Sequence, residues 1–284
     1  MRNSLTHITL WFGVFLCCFL IGAGAFYFLT LKGKHQNSAN YKPPYITRPH
    51  GPNIAKEPGA LPNDWMGYQR TYPHGNIKQD YYLSALDQAH TLQKQSSNRD
   101  LEWELLGPTN IGGRITDLAA HPGESSTIYV GAASGGIYKT TDNGQNWQQV
   151  FNEAPVTSIG DLAIDPNNPQ TLYAGTGEAN ASSYSFLGDG IWKSEDGGAN
   201  WQHTGLIESA YIARIVVDHS NSNRVFTAAC GTLFSSNSQR GIYRSQDGGK
   251  NWVQVLFLTD STAAIDLVQH PENPDILYAA MWER

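Results

Sequence analysis

Along the chain, the spacing of apolar and polar positions changes twice. Residues 8–31 form a run of 24 without a charged side chain. As a helix this run would be roughly 36 Å long, enough to cross a bilayer core. Further on, Ile77, Tyr81, Ala85, Ala89 and Leu92 follow at spacings of four and three. That spacing predicts a helix opening at Asn76, with this stripe as its packing face and Asn76 and Gln79 capping reciprocally. From Trp103 onward the apolar runs shorten and are separated by clusters of Gly, Asn, Asp, Ser and Pro. This is the pattern of short strands joined by turns.

The short runs repeat. IYKTTDNGQNW at residues 137–147 returns as IWKSEDGGANW at 191–201 and IYRSQDGGKNW at 242–252. The tryptophans that close the three copies are 54 and 51 residues apart, a period of propellers and solenoids. One unit divides into four strands: 161–165, a Pro-Asn-Asn-Pro turn, 171–175, 191–194, and a fourth from Trp201. The prediction is an all-β chain of four-stranded blades, three complete and a fourth begun at Asp266. Propellers normally close with about 4–8 blades, so the repeats are expected to be a segment of a longer propeller.

Within each phrase the same four positions recur. They are Thr140, Asp142, Gly144 and Trp147; Ser194, Asp196, Gly198 and Trp201; and Ser245, Asp247, Gly249 and Trp252. The hydroxyl and carboxylate suit backbone N–H groups inside a hairpin turn, the Gly suits positive φ, and the Trp supplies buried area. The pattern S/T-x-D-x-G-x-x-W is similar to the Asp-box, or BNR repeat, over residues 110–284. Bacterial extracytoplasmic propellers labelled glycosyl hydrolase or sortilin-like resemble it further in GPTNIGGRITDLAAHP and GTGEAN. The resemblance implies a propeller outside the cytoplasm, with the hairpins architectural and away from the active face. Sialidases, xyloglucanases and sortilin-type receptors share that architecture.

The chain carries a formal net charge of −6 and has no Lys/Arg cluster, which argues against a nucleic-acid partner. Three cysteines give no disulfide framework, and Cys230 is read as a small buried hydrophobe. No cofactor or metal is expected: TTDNG lacks the ligand alternation and terminal Glu of a calcium loop. Residues 1–32 read as a membrane anchor or a signal segment, because Ala23-Gly24-Ala25 resembles a cleavage site. The protein is therefore expected to be membrane-anchored and extracytoplasmic, or secreted if cleaved. Arg2 opposes Lys32 and Lys34, so charge leaves the orientation open. Residues 33–75 form a Pro-rich linker, 76–100 the helix, and 101–284 the propeller segment.

In such blades the second-to-third-strand loops share a face with the connections between blades, opposite the phrase turns. That face carries the long insertions 176–190 and 230–241, where binding concentrates on a rigid scaffold. Arg114, Glu178, Tyr184 and Asp189 are its candidate ligand-binding residues. Asp117, Asp161 and Asp266 recur at the start of the first strand, with Arg214 in the third unit. They read as repeated caps to neighbouring backbone, or alternatively as a carboxylate-lined mouth.

Catalytic residues cannot be named. Arg114-Ile115-Thr116 only faintly resembles the sialidase Arg-Ile-Pro opening. Ala133-Ser134 stands where xyloglucanase-like proteins place an Asp before Gly-Gly. No pair of opposed carboxyl groups, as glycoside hydrolysis needs, is visible. The expected function is a recognition module binding a protein, peptide or glycan. The alternatives are a glycoside hydrolase with its catalytic groups largely elsewhere, or a structural surface protein.

Overall fold

The computed structural model describes residues 72–73, 78–95, 112–151, 154–181, 185–233 and 235–283. The apolar run at 8–31, nearly all of the linker, the Asn76 cap and Tyr184 lie outside the described residues. Among the described residues no helix is long and apolar enough to cross a membrane.

The repeats form four-stranded antiparallel meanders. The first is β1 (Ile115–Ala120), β2 (Ile128–Ala132), β3 (Gly136–Thr140) and β4 (Gln148–Gln149), paired in that order. The second is β5 (Ile159–Ile164), β6 (Leu172–Thr176), β7 (Ile191–Ser194) and β8 (Gln202–Gly205). The third is β9 (Ile212–Val217), β10 (Val225–Ala229), β11 (Gly241–Ser245) and β12 (Val253–Leu256). A two-stranded sheet, β13 (Thr262–Gln269) and β14 (Leu277–Glu283), begins the fourth unit.

Burial along the second strands shows how these sheets stack. β2 alternates half-buried and buried positions, the signature of a sheet covered on one face. β6 and β10 are buried at every position, because sheets pack on both of their faces. The fourth strands are polar and exposed in the first unit and line the rim. The sheets thus have the form of propeller blades, with first strands innermost.

The repeated phrase makes the contacts between blades. In each copy the Ser or Thr hydroxyl accepts from the Gly N–H two residues past the Asp, at 2.8–2.9 Å. The Asp accepts the backbone N–H four residues on, at 2.8–2.9 Å. Its other oxygen accepts the side-chain amide of Asn146, Asn200 or Asn251, at 2.6–2.7 Å. Those bonds hold Asp142, Asp196 and Asp247 down at about 2; the Asn146 backbone N–H contributes most for the first, and the Asn200 and Asn251 amides for the others.

The tryptophan then reaches backwards. Trp201 Nε1 donates to Val150 O of the preceding blade at 2.8 Å, and Trp252 Nε1 to Thr204 O at 3.1 Å. Tyr129 of the first blade donates to Gly197 O at 2.9 Å, and Tyr173 of the second to Gly248 O at 3.0 Å. Phe151 meets the edge of Trp201 at a centroid distance of 5.2 Å and of Trp192 at 5.7 Å.

Helix α1 (Gln79–Gln95) forms, but it packs through a different face from the predicted stripe. Tyr81 and Leu92 are exposed, as are Ala85 and Ala89. The half-buried positions are Gln79, Tyr82, Leu83 and Leu86. The run from Tyr81 to Leu86 offers apolar residues to two helical faces, so periodicity alone did not choose between them. Tyr82 packs against Leu187, Tyr211 and Leu233, while Gln79 Nε2 donates to Gly188 O at 3.1 Å and also to Ile207 O. The expected capping glutamine thus docks the helix onto the insertion loop of the second blade.

Candidate functional site

Each first strand carries the same irregularity. The register slips between Ile115 and Asp117, between Ile159 and Asp161, opposite Ala228 and Ala229 on β9, and between Ala264 and Asp266. One residue is therefore extra in each unit: Thr116, Gly160, Ala213 and Ile265. Bulges of this kind bend a strand and re-aim its side chains. Here all four bulge residues line one cavity of about 370 Å³.

The polar lining comes from the ring positions just after the bulges. Arg214 Nη1 donates to Asp161 Oδ1 at 2.9 Å and Arg214 Nε to Asp266 Oδ1 at 2.8 Å, with Asp117 Oδ1 at 4.0 Å from Nη1. One guanidinium therefore spans carboxylates from three other blades. Asp117 and Asp161 also accept backbone N–H groups of the next blade, from Leu162 at 2.9 Å and Ile215 at 2.6 Å. The carboxylates thus cap neighbouring backbone, as expected, and two of them, Asp161 and Asp266, also line the cavity.

Exposure separates the three acids. The Asp161 side chain is 2% exposed. Burial pushes its carboxyl well above the ordinary range, Arg214 pulls it down and Asp117 pushes it up. Asp266 is 58% exposed. Desolvation raises it, but the hydrogen bonds from Arg214 and Leu267 N–H and the Arg214 charge outweigh that and leave it below its ordinary value. Its Oδ1 takes both of those bonds, and its Oδ2 accepts nothing among the described residues. Asn180 from the insertion loop and Trp282 from β14 complete the wall, the indole 37% exposed.

Of the insertion-face candidates, Arg114 and Glu178 stand within two residues of Thr116 and Ala179, which line this cavity. Arg114 pairs with Glu178 Oε2, joining the start of the first blade to the end of β6. The Glu178 side chain is fully buried and its Oε1 lacks a hydrogen-bond partner among the described residues. Burial raises this carboxyl and Arg114 opposes the shift. Asp189 is buried at the base of the insertion, accepting from Thr176 Oγ1 at 3.0 Å and Trp192 Nε1 at 2.8 Å. Burial raises it too, with the Trp192 hydrogen bond and His203 opposing. None of the three lines the cavity. Among the described residues no cluster of three or more His, Cys, Asp or Glu side chains could hold a metal ion.

Sequence reasoning singled out Arg214, Asp161 and Asp266 by their repeat position but missed Asn180 and Trp282. Asn180 sits in an insertion without a repeat counterpart, and Trp282 carries no motif.

Comparison with known proteins points to one enzyme group. No family model matches the chain. Over 176 residues it is 27% identical to Xyloglucanase Xgh74A of Acetivibrio thermocellus, covering 50% of this chain and 20% of the relative. Over 171 residues it is 26% identical to a xyloglucanase of Hypocrea jecorina, covering 55% and 19%. The chain thus spans about a fifth of the length of these relatives. An ancestral GH74 enzyme of known structure superposes with a TM-score of 0.52 at 23% identity, covering 64% of this chain and 23% of the other. That likeness carries the fold.

Proposed function

We propose that this segment is a glycan-recognition module of an exported or membrane-tethered propeller protein, holding a sugar in the mouth cavity without cleaving it there. The observation that carries the reading is the cavity wall. Trp282, Asn180 and Asp266 line it, bringing an indole, a side-chain amide and a carboxylate oxygen without a partner among the described residues. An aromatic face with a few convergent polar groups is the usual make-up of a small-ligand pocket. The xyloglucanase relatives favour a glycan over a protein or peptide. Glu178, Tyr184 and Asp189 belong in this reading to the insertion that borders the site, and Arg114 pairs with it through Glu178. The repeated hairpins act as Asp-boxes, structural and remote from it, and residues 8–31 hold the chain at a membrane.

A glycoside hydrolase is the second reading, favoured by the names of the same relatives. Against cleavage at this cavity stands the state of its two carboxylates: both are ion-paired to Arg214, and Asp161 is sealed. Glycoside hydrolysis needs one carboxyl group free to give a proton and another free to attack or activate water. The test is to titrate the full chain with xyloglucan oligosaccharides, following tryptophan fluorescence, and to assay reducing ends in the same samples. Saturable binding without new reducing ends is expected. Release of sugars would favour the hydrolase, and a flat titration with every glycan tried would end the recognition reading. Mass spectrometry of the isolated protein tests the anchor: a mature N-terminus at Phe26 would make the protein secreted.

A further inference from the structure

We infer that the mouth cavity ranks glycans by charge, taking amino sugars most tightly, neutral sugars next and acidic sugars least, with Asp266 as the discriminating residue. This rests on the glycan reading above. Among the described residues Arg214 is the one cation lining the cavity, and its Nε is occupied by Asp266 and its Nη1 by Asp161. The nearby Arg114 is likewise paired, with Glu178. The charge of Arg214 is therefore already shared among carboxylates when a sugar carboxylate enters the mouth. Three carboxylates, those of Asp117, Asp161 and Asp266, gather around this one guanidinium, and Asp161 and Asp266 line the cavity.

The three acids do not contribute equally. Asp117 and Asp161 each spend an oxygen on the next blade's backbone, and Asp161 is closed to solvent. Asp266 bonds its own neighbour Leu267 through the oxygen that also meets Arg214, which leaves Oδ2 without a partner among the described residues, in a cavity that Trp282 also lines. A sugar stacked on the indole can present a hydroxyl or an ammonium to Oδ2. An ammonium forms the charge-assisted, stronger hydrogen bond. A carboxylate in the same place is repelled, and like charges brought together at a binding surface discriminate against the wrong partner.

The experiment compares three hexasaccharides of different charge on the full chain: cellohexaose, a fully deacetylated glucosamine hexamer and a galacturonate hexamer. Affinities are measured at about pH 6, where a sugar amine is largely protonated. The amino hexamer should bind at least about tenfold more tightly than the acidic one, with the neutral hexamer between them and the spread narrowing with salt. Asp266→Asn should compress the order. Glu272→Gln removes the same charge from the turn face on the opposite side, and it should leave the order intact. Neutral binding with a flat or reversed charge order overturns this inference and leaves the glycan reading standing. So does an Asp266→Asn variant with the order unchanged. No binding by any of the three overturns both.

Discussion

Gly175 and Ile212 share one space between the second and third blades: a methyl group on Gly175 would collide with Ile212 Cγ2. The same relationship joins Gly131 to Ile159, where the added carbon would sit 2.7 Å from Ile159 Cγ2. At the next joint Ala228 takes the glycine's place and Ala264 the isoleucine's, packed in one cluster. Volume is exchanged across the joint. Gly175→Ala should therefore destabilise by about 1–3 kcal/mol, the usual cost of overpacking. Adding Ile212→Ala should recover part of that loss, because the double variant copies the Ala228–Ala264 joint. A denaturation cycle over the four proteins measures the coupling, and strictly additive losses would refute the shared-space account.

Trp201 and Trp147 occupy the same position of the phrase but differ in what they touch. Trp201 packs against Phe151 and bonds the preceding blade, whereas Trp147 is 44% exposed and, among the described residues, its Nε1 reaches only Gly144 O of its own turn. Trp201→Ala should cost about 3 kcal/mol, and Trp147→Ala less than about 1 kcal/mol. Urea denaturation of the two variants settles the comparison.

Arg214 compensates a buried acid. Arg214→Met should destabilise by about 2 kcal/mol at neutral pH, less than the full cost of breaking a buried pair because the guanidinium is partly exposed. The sign of the pH dependence follows from Asp161, whose carboxyl is raised in the folded state. A raised carboxyl favours the folded form as pH falls toward the unfolded value of about 4. The deficit should shrink on acidification, as Asp161 takes up a proton and no longer needs its partner. Denaturation midpoints at neutral and mildly acidic pH test this, and a deficit independent of pH would rule it out.

The phrase aspartates behave in the opposite sense. Their folded values near 2 lie below the ordinary carboxylate value, so their contribution is complete above about pH 4 and is lost as pH falls through about 2. Asp196→Ala should lower the melting temperature at neutral pH, and the gap from the parent protein should close between about pH 4 and pH 2. A gap that stays constant to the lowest pH would mean that the carboxylate bonds do not hold the turn.

The fold was legible where the sequence repeats itself. A phrase met three times exposes its invariant positions, so the hydroxyl, carboxylate, glycine and indole could be given roles before their bonds were seen. Asn146, Asn200 and Asn251 were equally visible, each just before its tryptophan, and were passed over because the four-residue pattern leaves that position open. The site was harder to read. Asp161 and Arg214 stand in register, but that they share one ion pair depends on bulges that no propensity announces. The helix face was ambiguous because Tyr81 and Tyr82 are adjacent, and which of them is covered depends on the loop at Leu187. Repetition reports backbone geometry well and reports unique contacts poorly.

Every bond that seats a phrase on its neighbour points the same way along the chain. The hairpin at 194–201 is received by Tyr129, Lys139 and Val150, and the hairpin at 245–252 by Tyr173 and Thr204. In each case the receiving group was synthesised earlier than the hairpin it receives. Docking of the hairpins therefore has a direction: each one settles on groups supplied by the blade before it. A chain threaded out one residue at a time presents each of these receiving groups before the hairpin that docks on it, so one blade can serve as the mould for the next.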